Sequence, residues 1–234
     1  MENAQCLKTS RIPGHVAVTF PRHYSWLRHN LISDLTLSEK LVIAVDILHR
    51  VLNIAEYLLN RGIRIVTLDY LPSYVLKKLN IDLSVLEDTL VKVLARARDV
   101  RVRCYLFDES NSLTLIKFVP EDADRKVNLV IGYDHKLELK YMLLRALVDC
   151  RLSRLDLDME TLEQFVNTCR SYSILEEDPD LVIVFGDEHT PNFLIYNLSY
   201  SELVFIDKFL YEITFSDLEN ALETYQRRTR RFGR

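Results

Sequence analysis

The chain has 234 residues, of which 48% are hydrophobic and 27% are charged, as in an ordinary globular protein. The formal net charge is −4, which argues against binding to nucleic acid over a long surface. No apolar run approaches the roughly 18–20 residues that a membrane helix needs, and the polar start of the chain does not resemble a signal peptide.

The cysteines are widely spaced and form no CxxC pair. This predicts reduced, structural thiols in a cytoplasmic protein. The four residues concerned are Cys6, Cys104, Cys150 and Cys169.

Short apolar runs alternate with longer amphipathic ones from the start of the chain. His15–Phe20 (HVAVTF) predicts a buried strand, and the β-branched Ile63–Leu68 (IRIVTL) predicts a second one. Between them a long helix is predicted from Thr36 to Arg61. Thr36 and Glu39 have the spacing of a capping box, in which each side chain accepts a hydrogen bond from a free backbone N–H.

The middle of the chain continues the alternation. Ser84 and Glu87 predict a second capping box, for a helix that ends near Ala97. Val100–Phe107 (VRVRCYLF) alternates apolar and polar residues, which favours a strand near an edge of the sheet, and Val127–Tyr133 (VNLVIGY) predicts a fourth strand.

The last third adds three helices and two strands. The helices are predicted at Leu137–Cys150, at Asp158–Cys169, and from a cap at Ser216 and Glu219 to about Arg230, and the strands at Leu181–Phe185 and Leu203–Ile206.

Strands that alternate with helices predict an α/β fold: one domain over residues 1–234 with a mostly parallel, six-stranded sheet flanked by helices. Residues 1–12 are expected to form a flexible N-terminal segment. The sequence has five glycines and neither GxGxxG nor GxxxxGK[ST], so it offers no glycine-rich nucleotide loop. Ligands of such sheets bind at the C-terminal ends of strands, which draws attention to Pro21–Trp26, Asp69–Tyr74, Tyr133–His135 and Gly186–Asn192.

One region resembles a known family closely. The string DLVIVFGDEHTPNFLIYNLSYSELVFID resembles the last motif of cis-prenyltransferases such as undecaprenyl diphosphate synthase. In that family a strand leads to a Gly-Glu turn with His or Gln, then Asn-Phe, then Glu-Leu-x-Phe. The matching residues are Gly186, Glu188, His189, Asn192, Phe193, Glu202, Leu203 and Phe205.

The resemblance extends along most of the chain. The ending RRTRRFGR matches the family's Arg-x-Gly tail at Arg231 and Gly233, and VNLVIGY is similar to its Leu-Asn-Leu-Ala-Leu-Asn-Tyr strand. HVAVTF and Trp26 fit the strand and the tryptophan around its first motif. The likeness is most specific after Asp180, and it implies the cis-prenyltransferase fold.

The first motif departs from the family at its essential position. The family has Met-Asp-Gly-Asn-(Gly/Arg)-Arg-Trp, and this chain has Phe20-Pro21-Arg22-His23-Tyr24-Ser25-Trp26. Pro21 replaces the catalytic Asp, which serves the Mg²⁺–diphosphate chemistry, so no catalytic residue is expected in this chain. Arg22 replaces the glycine that lets the backbone approach phosphate.

Two further motifs are lost. The family's Ser-x-Glu-Asn-Trp is Pro72-Ser73-Tyr74-Val75-Leu76 here. Val184 and Thr190 stand where the family has arginines that hold the diphosphate of isopentenyl diphosphate. The loss of three anion- or metal-binding elements together implies the loss of the chain's own catalytic site.

The tail is intact. In the family the Arg-x-Gly ending crosses the dimer interface and closes over the neighbour's substrate diphosphate, so Arg231, Phe232 and Gly233 are expected to act in trans. The simpler alternative is a basic helix end favoured by the helix dipole. His189 is either a remnant contact to metal or diphosphate, or a residue of the turn. Glu202 is either a remnant contact of the same kind or a carboxylate at a helix end.

Two other groups of residues have a predicted role. Arg22, His23, Arg28 and His29 form a basic cluster that is either a solvated loop or an anion contact. The aromatic-rich stretch Tyr196–Tyr211 lies in the region through which the family dimerises, so an interface is expected there.

The resemblance implies a non-catalytic subunit of a heteromeric cis-prenyltransferase, similar to the Nogo-B receptor type but without a membrane anchor, as expected of soluble archaeal-like forms. Such a complex makes long-chain polyprenyl diphosphate from isopentenyl diphosphate and an allylic diphosphate. The catalytic partner, in a heterodimer or heterotetramer, would hold the Mg²⁺, and this chain alone would bind no metal. The expected location is cytoplasmic, with peripheral membrane association through the lipid product.

Two rival hypotheses remain open at the level of sequence. One is a homodimeric prenyltransferase with relocated catalytic acids such as Asp69, Asp187 or Glu188. The other is a scaffold or regulatory protein that kept only the fold.

Overall fold

The computed structural model describes residues 12–30, 35–94, 100–107, 113–118, 124–149, 159–186 and 192–228. These residues form one seven-stranded sheet of order β4-β3-β5-β2-β1-β6-β7. The strands are β1 (His15–Thr19), β2 (Ile65–Tyr70), β3 (Arg101–Phe107), β4 (Leu113–Phe118), β5 (Lys126–Ile131), β6 (Leu181–Phe185) and β7 (Glu202–Ile206).

The predicted α/β class and the six predicted strands are confirmed, and those six are parallel. The seventh strand, β4, was not predicted. It pairs antiparallel with β3, with Val102 opposite Phe118 and Phe107 opposite Leu113. β3 is therefore next to the edge of the sheet, as its alternating sequence indicated.

Seven helices lie in the described part of the chain. They are α1 (Pro21–Asn30), α2 (Leu37–Asn60), α3 (Ser73–Leu79), α4 (Leu83–Leu94), α5 (His135–Asp149), α6 (Met159–Ser171) and α7 (Phe215–Arg227). The short helices α1 and α3, which directly follow β1 and β2, were not predicted. None of the described helices is long and apolar enough to span a membrane.

The predicted capping box of α2 is confirmed. The Thr36 backbone N–H donates to Glu39 Oε2 at 2.8 Å, and the Glu39 N–H donates to Thr36 Oγ1 at 3.3 Å. Such a cap contributes about 1 kcal/mol to helix stability.

The other two predicted caps were wrong, because in each case the residue two positions upstream caps the helix. Asp82 Oδ1 accepts from the Ser84 N–H at 2.8 Å, so α4 begins before Ser84. The cap of α7 is Thr214, whose N–H donates to Asp217 Oδ2 at 2.7 Å.

The central strands of the sheet are buried on both faces. Every residue of β1, β2 and β6 is buried, as expected for parallel strands covered by helices. Alternate residues face two separate cores: Val16 and Val18 pack with residues of α2, α3, α4 and α7, while Ala17 packs in the other core, against which Leu137 of α5 lies.

A chain of hydrogen bonds ties the central strands together at their N-terminal ends. Asn128 Nδ2 donates to Thr67 Oγ1 at 3.0 Å, and the Thr67 hydroxyl lies 2.8 Å from His15 Nε2. His15 Nδ1 lies 3.0 Å from the Glu177 carbonyl, which can only accept, so this nitrogen carries the proton. Burial lowers the pKa of His15 to about 4, and the ring is therefore neutral at pH 7.

Candidate functional site

A cavity of about 190 Å³ opens where β1, β2 and β5 end, at the C-terminal edge of the sheet. This is the edge at which ligands bind in open α/β sheets. It is lined by Thr19, Pro21, Asp69, Pro72, Ser73, Tyr74, Tyr133, Asp134, His135, Asn192 and Phe193. We call it the edge pocket.

Asp69, the fifth residue of β2, is the most unusual group in the edge pocket. It is only 5% exposed, and its Oδ2 accepts a hydrogen bond from Thr19 Oγ1 at 2.7 Å. Its Oδ1 is buried without a hydrogen-bond partner in the described part of the chain. Burial raises the pKa of Asp69 to about 7, and the bond from Thr19 opposes this shift.

The backbone around Asp69 is held firmly. Tyr24 Oη of α1 donates to the Asp69 carbonyl at 2.8 Å and accepts from the Leu71 N–H at 3.4 Å. Leu71 has φ 50°, a left-handed conformation that is uncommon for residues other than glycine. The Leu71 carbonyl in turn accepts from the Gly132 N–H at 2.8 Å, so the turns after β2 and β5 are joined at the pocket.

The far wall is fixed by a buried carboxyl group. Tyr133 Oη donates to Glu138 Oε2 at 2.6 Å, and Glu138 Oε1 accepts from Ser173 Oγ at 3.1 Å. Burial raises the pKa of Glu138 despite these bonds. Glu138 is fully buried, and both of its carboxylate oxygens accept hydrogen bonds from these donors. Its role is therefore to hold α5 against the turn before β6.

Asp134 stands at the start of α5, where its Oδ1 accepts from the Lys136 N–H at 2.8 Å. Its Oδ2 lies 3.4 Å from Ser73 Oγ. The described lining thus contains two aspartates and a histidine but no lysine or arginine.

The basic cluster after β1 does not gather into an anion site. Arg22 forms an ion pair with Asp207, and its guanidinium lies 4.6 Å from the centre of the Phe209 ring. Arg28 lies 5.8 Å from the Tyr74 ring. These residues belong to α1, so the expectation of a loop was wrong, and the anion contact stays a prediction.

His23, in the same helix, is 1% exposed and its Nε2 has no hydrogen-bond partner among the described residues. Burial, and then the positive charge of Arg50, lower the pKa of His23 to about 4. A neutral, enclosed imidazole does not contribute charge to an anion site.

Gly186 is required by the packing of α1. A Cβ at this position would lie 2.6 Å from Arg22 Cβ, and the glycine has φ +142°. The family-like glycine therefore allows Arg22 to sit on the end of β6, where a larger residue would not fit.

The predicted site residues fall into four groups. Pro21 lines the edge pocket, as the first residue of α1. Val184 is completely buried in the sheet. Glu202 begins β7, at the opposite edge of the sheet from the pocket, where its carboxylate lies 3.1 Å from Arg228 Nη1. Outside the described residues lie Asp187, Glu188, His189, Thr190, Arg231, Phe232 and Gly233.

The described residues do not fit a Mg²⁺ ion. Among them, no group of three or more His, Cys, Asp or Glu side chains is arranged to hold a metal. Pro21 offers no ligand, and both Asp134 oxygens already face donors of the chain. We therefore derive no metal-dependent step for this chain.

Residues 48–233 match the family described as "Putative undecaprenyl diphosphate synthase", and the chain belongs to this family. The matched region begins after Pro21, so the divergent first motif lies outside it.

Curated relatives include an isoprenyl transferase of Aquifex aeolicus, 27% identical over 96% of this chain and 97% of the relative. A tritrans,polycis-undecaprenyl-diphosphate synthase (geranylgeranyl-diphosphate specific) of Thermoplasma acidophilum is 36% identical, over 47% of this chain. The match covers only 42% of the length of that archaeal relative.

Two solved structures share the fold. Lavandulyl diphosphate synthase from Lavandula x intermedia, in complex with dimethylallyl diphosphate, has a TM-score of 0.62 at 19% identity and covers 95% of this chain and 99% of that one. A probable undecaprenyl diphosphate synthase from Campylobacter jejuni has a TM-score of 0.58 at 19% identity, with 96% and 100% covered.

Proposed function

We propose that this chain is the non-catalytic subunit of a heteromeric cis-prenyltransferase. Its partner would be a family member that retains the catalytic Asp, binds Mg²⁺ and condenses isopentenyl diphosphate with an allylic diphosphate. The observation that carries the proposal is the edge pocket, where Pro21 stands in place of a carboxylate and Asp69 is buried nearby.

The charge of the edge pocket supports this division of labour. A diphosphate needs cations or many N–H donors around it. The described lining carries two carboxyl groups and no lysine or arginine, and the first helical residue of α1 lacks an N–H altogether. Such a lining offers a diphosphate few favourable contacts.

The position of Arg228 supports a role for the tail in trans. Arg228 Nη1 donates to the Leu203 carbonyl at 2.6 Å and to Glu202 Oε2 at 3.1 Å, at the N-terminal edge of β7. By strand rise and spacing, the start of β7 lies roughly 17 Å from Asp69. The last described residue of the chain is therefore held at the end of the strands opposite the edge pocket, which favours a tail that acts on the partner.

A surface for the partner is available on α5 and α6, which pack against each other. Leu144 is 52% exposed and Val148 69%, and on α6 Met159 and Val166 are 79% and 61% exposed. Exposed large apolar side chains gathered on two neighbouring helices are typical of an interaction site. We assign it to the catalytic subunit, and call it the α5–α6 face.

The properties of Asp69 favour one second candidate function, that of a homodimeric prenyltransferase in which Asp69 is a relocated catalytic acid. A carboxyl group with a pKa of about 7 is suited to proton transfer near neutral pH. The lack of cationic groups in the described lining counts against it.

The tail tests the proposal directly. Arg231→Ala in the complex should lower turnover roughly ten- to hundred-fold, because a charge-assisted contact to a diphosphate is worth about 1.5–3 kcal/mol. The loss should appear in the use of isopentenyl diphosphate more than in allylic primer binding. Steady-state kinetics of the purified complex, with each substrate varied in turn, measure both.

Arg227→Ala is the matched control, since Arg227 is an exposed arginine paired with Glu223 of the same helix. It should leave turnover within about twofold, and both variants should keep complex formation and the melting temperature. If Arg231→Ala keeps full activity, the tail is only a helix end and the scaffold hypothesis is preferred.

A further inference from the structure

One hydroxyl proton faces two acceptors in the buried polar network beside the edge pocket. Ser173 Oγ lies 3.1 Å from Glu138 Oε1 and 2.8 Å from Asn197 Oδ1. A serine hydroxyl carries a single proton, so it makes a full hydrogen bond to only one of these oxygens at a time. Glu138 is 0% exposed and Asn197 is 2% exposed. At such depth an acceptor without a donor is destabilising, so the network needs one more proton.

The orientation of the Asn197 amide is fixed by its other partner. Asn197 Nδ2 donates to Asp178 Oδ1 at 2.8 Å, and Asp178 Oδ2 lies 2.7 Å from Arg170 Nη2. A carboxylate that is paired with an arginine only accepts hydrogen bonds, so the amide nitrogen must face Asp178 and the amide oxygen must face Ser173. Because an amide oxygen cannot donate, the bond between Asn197 and Ser173 requires the Ser173 proton.

We propose that Glu138 takes up the additional proton and thereby switches Ser173 from one acceptor to the other. In the ionised state, Ser173 donates to Glu138 Oε1, and the Asn197 oxygen receives no bond from Ser173. In the protonated state, the carboxyl O–H on Oε1 donates to Ser173 Oγ, and the Ser173 hydroxyl donates to Asn197 Oδ1. Tyr133 Oη donates to Glu138 Oε2 in both states. The proton comes from solvent, and this O–H is the one covalent bond that changes.

Burial favours the protonated state, because it raises the pKa of Glu138. The hydrogen bonds from Tyr133, from the Ile174 N–H and from Ser173 oppose this shift. Glu138 therefore releases its proton at a higher pH than an exposed glutamate does. The titratable or charged groups on the surrounding elements are Tyr133 at the end of β5, Asp134 and His135 at the start of α5, Tyr196 in the turn 195–197, and Asp178 behind Asn197.

The switch acts on the turn Ile195–Asn197, which belongs to two regions of interest. The turn closely follows Phe193, which lines the edge pocket, and it begins the stretch 196–211, which is predicted as an interface. A proton on Glu138 ties this turn to α5 through Ser173, and loss of the proton removes that tie. The inference goes beyond the partner function and does not depend on it, because neither the catalytic subunit nor the tail takes part.

Hydrogen exchange of the Asn197 backbone amide reports on the turn, because this N–H donates to the Leu194 carbonyl at 2.8 Å. The exchange is followed by NMR in the purified full-length chain, from mildly acidic to mildly alkaline pH, and is corrected for the intrinsic exchange rate. Protection of this amide in the wild type should fall about threefold or more as the pH rises, which is the size expected from the loss of one hydrogen bond.

Two variants should hold the turn in one state or the other. Glu138→Gln has a side-chain NH₂ group that can donate to Ser173 at every pH, so protection should stay at the acidic wild-type level. Ser173→Ala removes the relay, so protection should stay at or below the alkaline wild-type level. Glu163→Gln is the matched control, since Glu163 is an exposed glutamate of α6, and it should follow the wild type. Melting curves show whether each variant folds.

Protection in the wild type that is constant with pH, or that increases with pH, would overturn the proposal. So would a Glu138→Gln variant that keeps the wild-type pH dependence, because another group would then be the one that titrates. If Glu138→Gln does not fold, Ser173→Ala decides: a pH dependence that persists without the Ser173 hydroxyl also overturns the proposal. None of these results alters the test of the tail.

Discussion

At the scale of single residues, Pro21 changes the start of α1 in two ways. It offers no carboxylate, and it removes one backbone N–H from the helix start that faces the edge pocket. Proline is well suited to the first position of a helix, so the fold does not suffer from the exchange. The exchange therefore removes a carboxylate and a hydrogen-bond donor while it preserves the start of α1.

Restoring the carboxylate alone should not restore activity. Pro21→Asp would place a third acid in a described lining that has no lysine or arginine, and Val184 remains buried in the sheet. We expect condensation of isopentenyl diphosphate by the lone variant to stay at background, as measured by incorporation of labelled substrate. Clear product formation would show that one residue separates this chain from a catalyst.

Asp69 should make stability depend on pH. Its pKa is about 7 in the folded chain and about 4 in an unfolded one, so between these values only the folded state holds the proton. Stability from this group is complete below pH 4, falls as the pH rises to 7, and is then constant. The Asp69→Asn variant has no titratable group at this position, so its stability lacks this dependence on pH.

The melting temperature of Asp69→Asn minus that of the wild type should therefore increase between pH 4 and 7 and level off above pH 7. His15 and His23, whose pKa values are both lowered to about 4, act in the opposite direction, but they are present in both proteins and cancel in the difference. A difference that does not change with pH would mean that Asp69 is not buried as described.

The candidate site could be predicted only in part. The resemblance to the family identified Pro21, whereas Asp69 was only one of several acids that a rival hypothesis could use, because the sequence shows no partner for it. Its partner Thr19 lies on β1, 50 residues away, and only the register of the sheet brings the two together. Burial and an unpaired oxygen are properties of packing that no local pattern carries.

At the scale of elements, the sequence predicted those whose patterns are long or strongly apolar. The buried strands and α2 are of this kind. α1 has a polar sequence, PRHYSWLRHN, and α3 has seven residues, so neither shows a helical period. β4 is an edge strand that β3 stabilises by antiparallel pairing, which is a long-range effect.

The contact between β7 and the end of α7 should control the tail. Glu202→Gln should raise the KM for isopentenyl diphosphate in the complex, because Arg228 loses the charge that holds it at the start of β7. Stability should change by about 1 kcal/mol or less, since the pair is partly solvated. Kinetics and thermal melting of the complex measure the two effects.

Arg228→Ala separates anchoring from direct ligation. If Glu202 acts by holding Arg228, the two variants should have similar kinetics; if Glu202 itself contacts metal or diphosphate, Arg228→Ala should be nearly silent. Glu223→Gln, which breaks the pair with Arg227 within α7, is the control and should leave the KM unchanged.

At the scale of the whole molecule, two apolar surfaces compete for the partner. The stretch 196–211, predicted as an interface, exposes Tyr200 at 63%, but Tyr211 packs 5.0 Å from the His23 ring and partly serves the fold. The α5–α6 face exposes more large side chains. The interface at 196–211 stays a prediction, and we favour the α5–α6 face.

Substitution of two equally exposed valines, one on the α5–α6 face and one outside it, tests which surface binds the partner. Val148 on α5 is 69% exposed and Val42 on α2 is 68% exposed, so glutamate at either position costs the free chain little. Val148→Glu should weaken binding of the catalytic subunit at least tenfold in sedimentation or titration experiments, and Val42→Glu should not. If Tyr200→Glu is the variant that abolishes binding, the partner surface is the stretch 196–211.

The central claim is that this chain contributes to prenyl transfer without catalysing it. The most direct measurement is incorporation of labelled isopentenyl diphosphate, with Mg²⁺ and an allylic diphosphate, by three samples: this chain alone, the co-purifying family member that carries Met-Asp-Gly-Asn, and the two together. The account predicts background incorporation by this chain alone and a rate for the mixture well above that of the partner. Robust incorporation by this chain alone, or no gain on mixing, would contradict it.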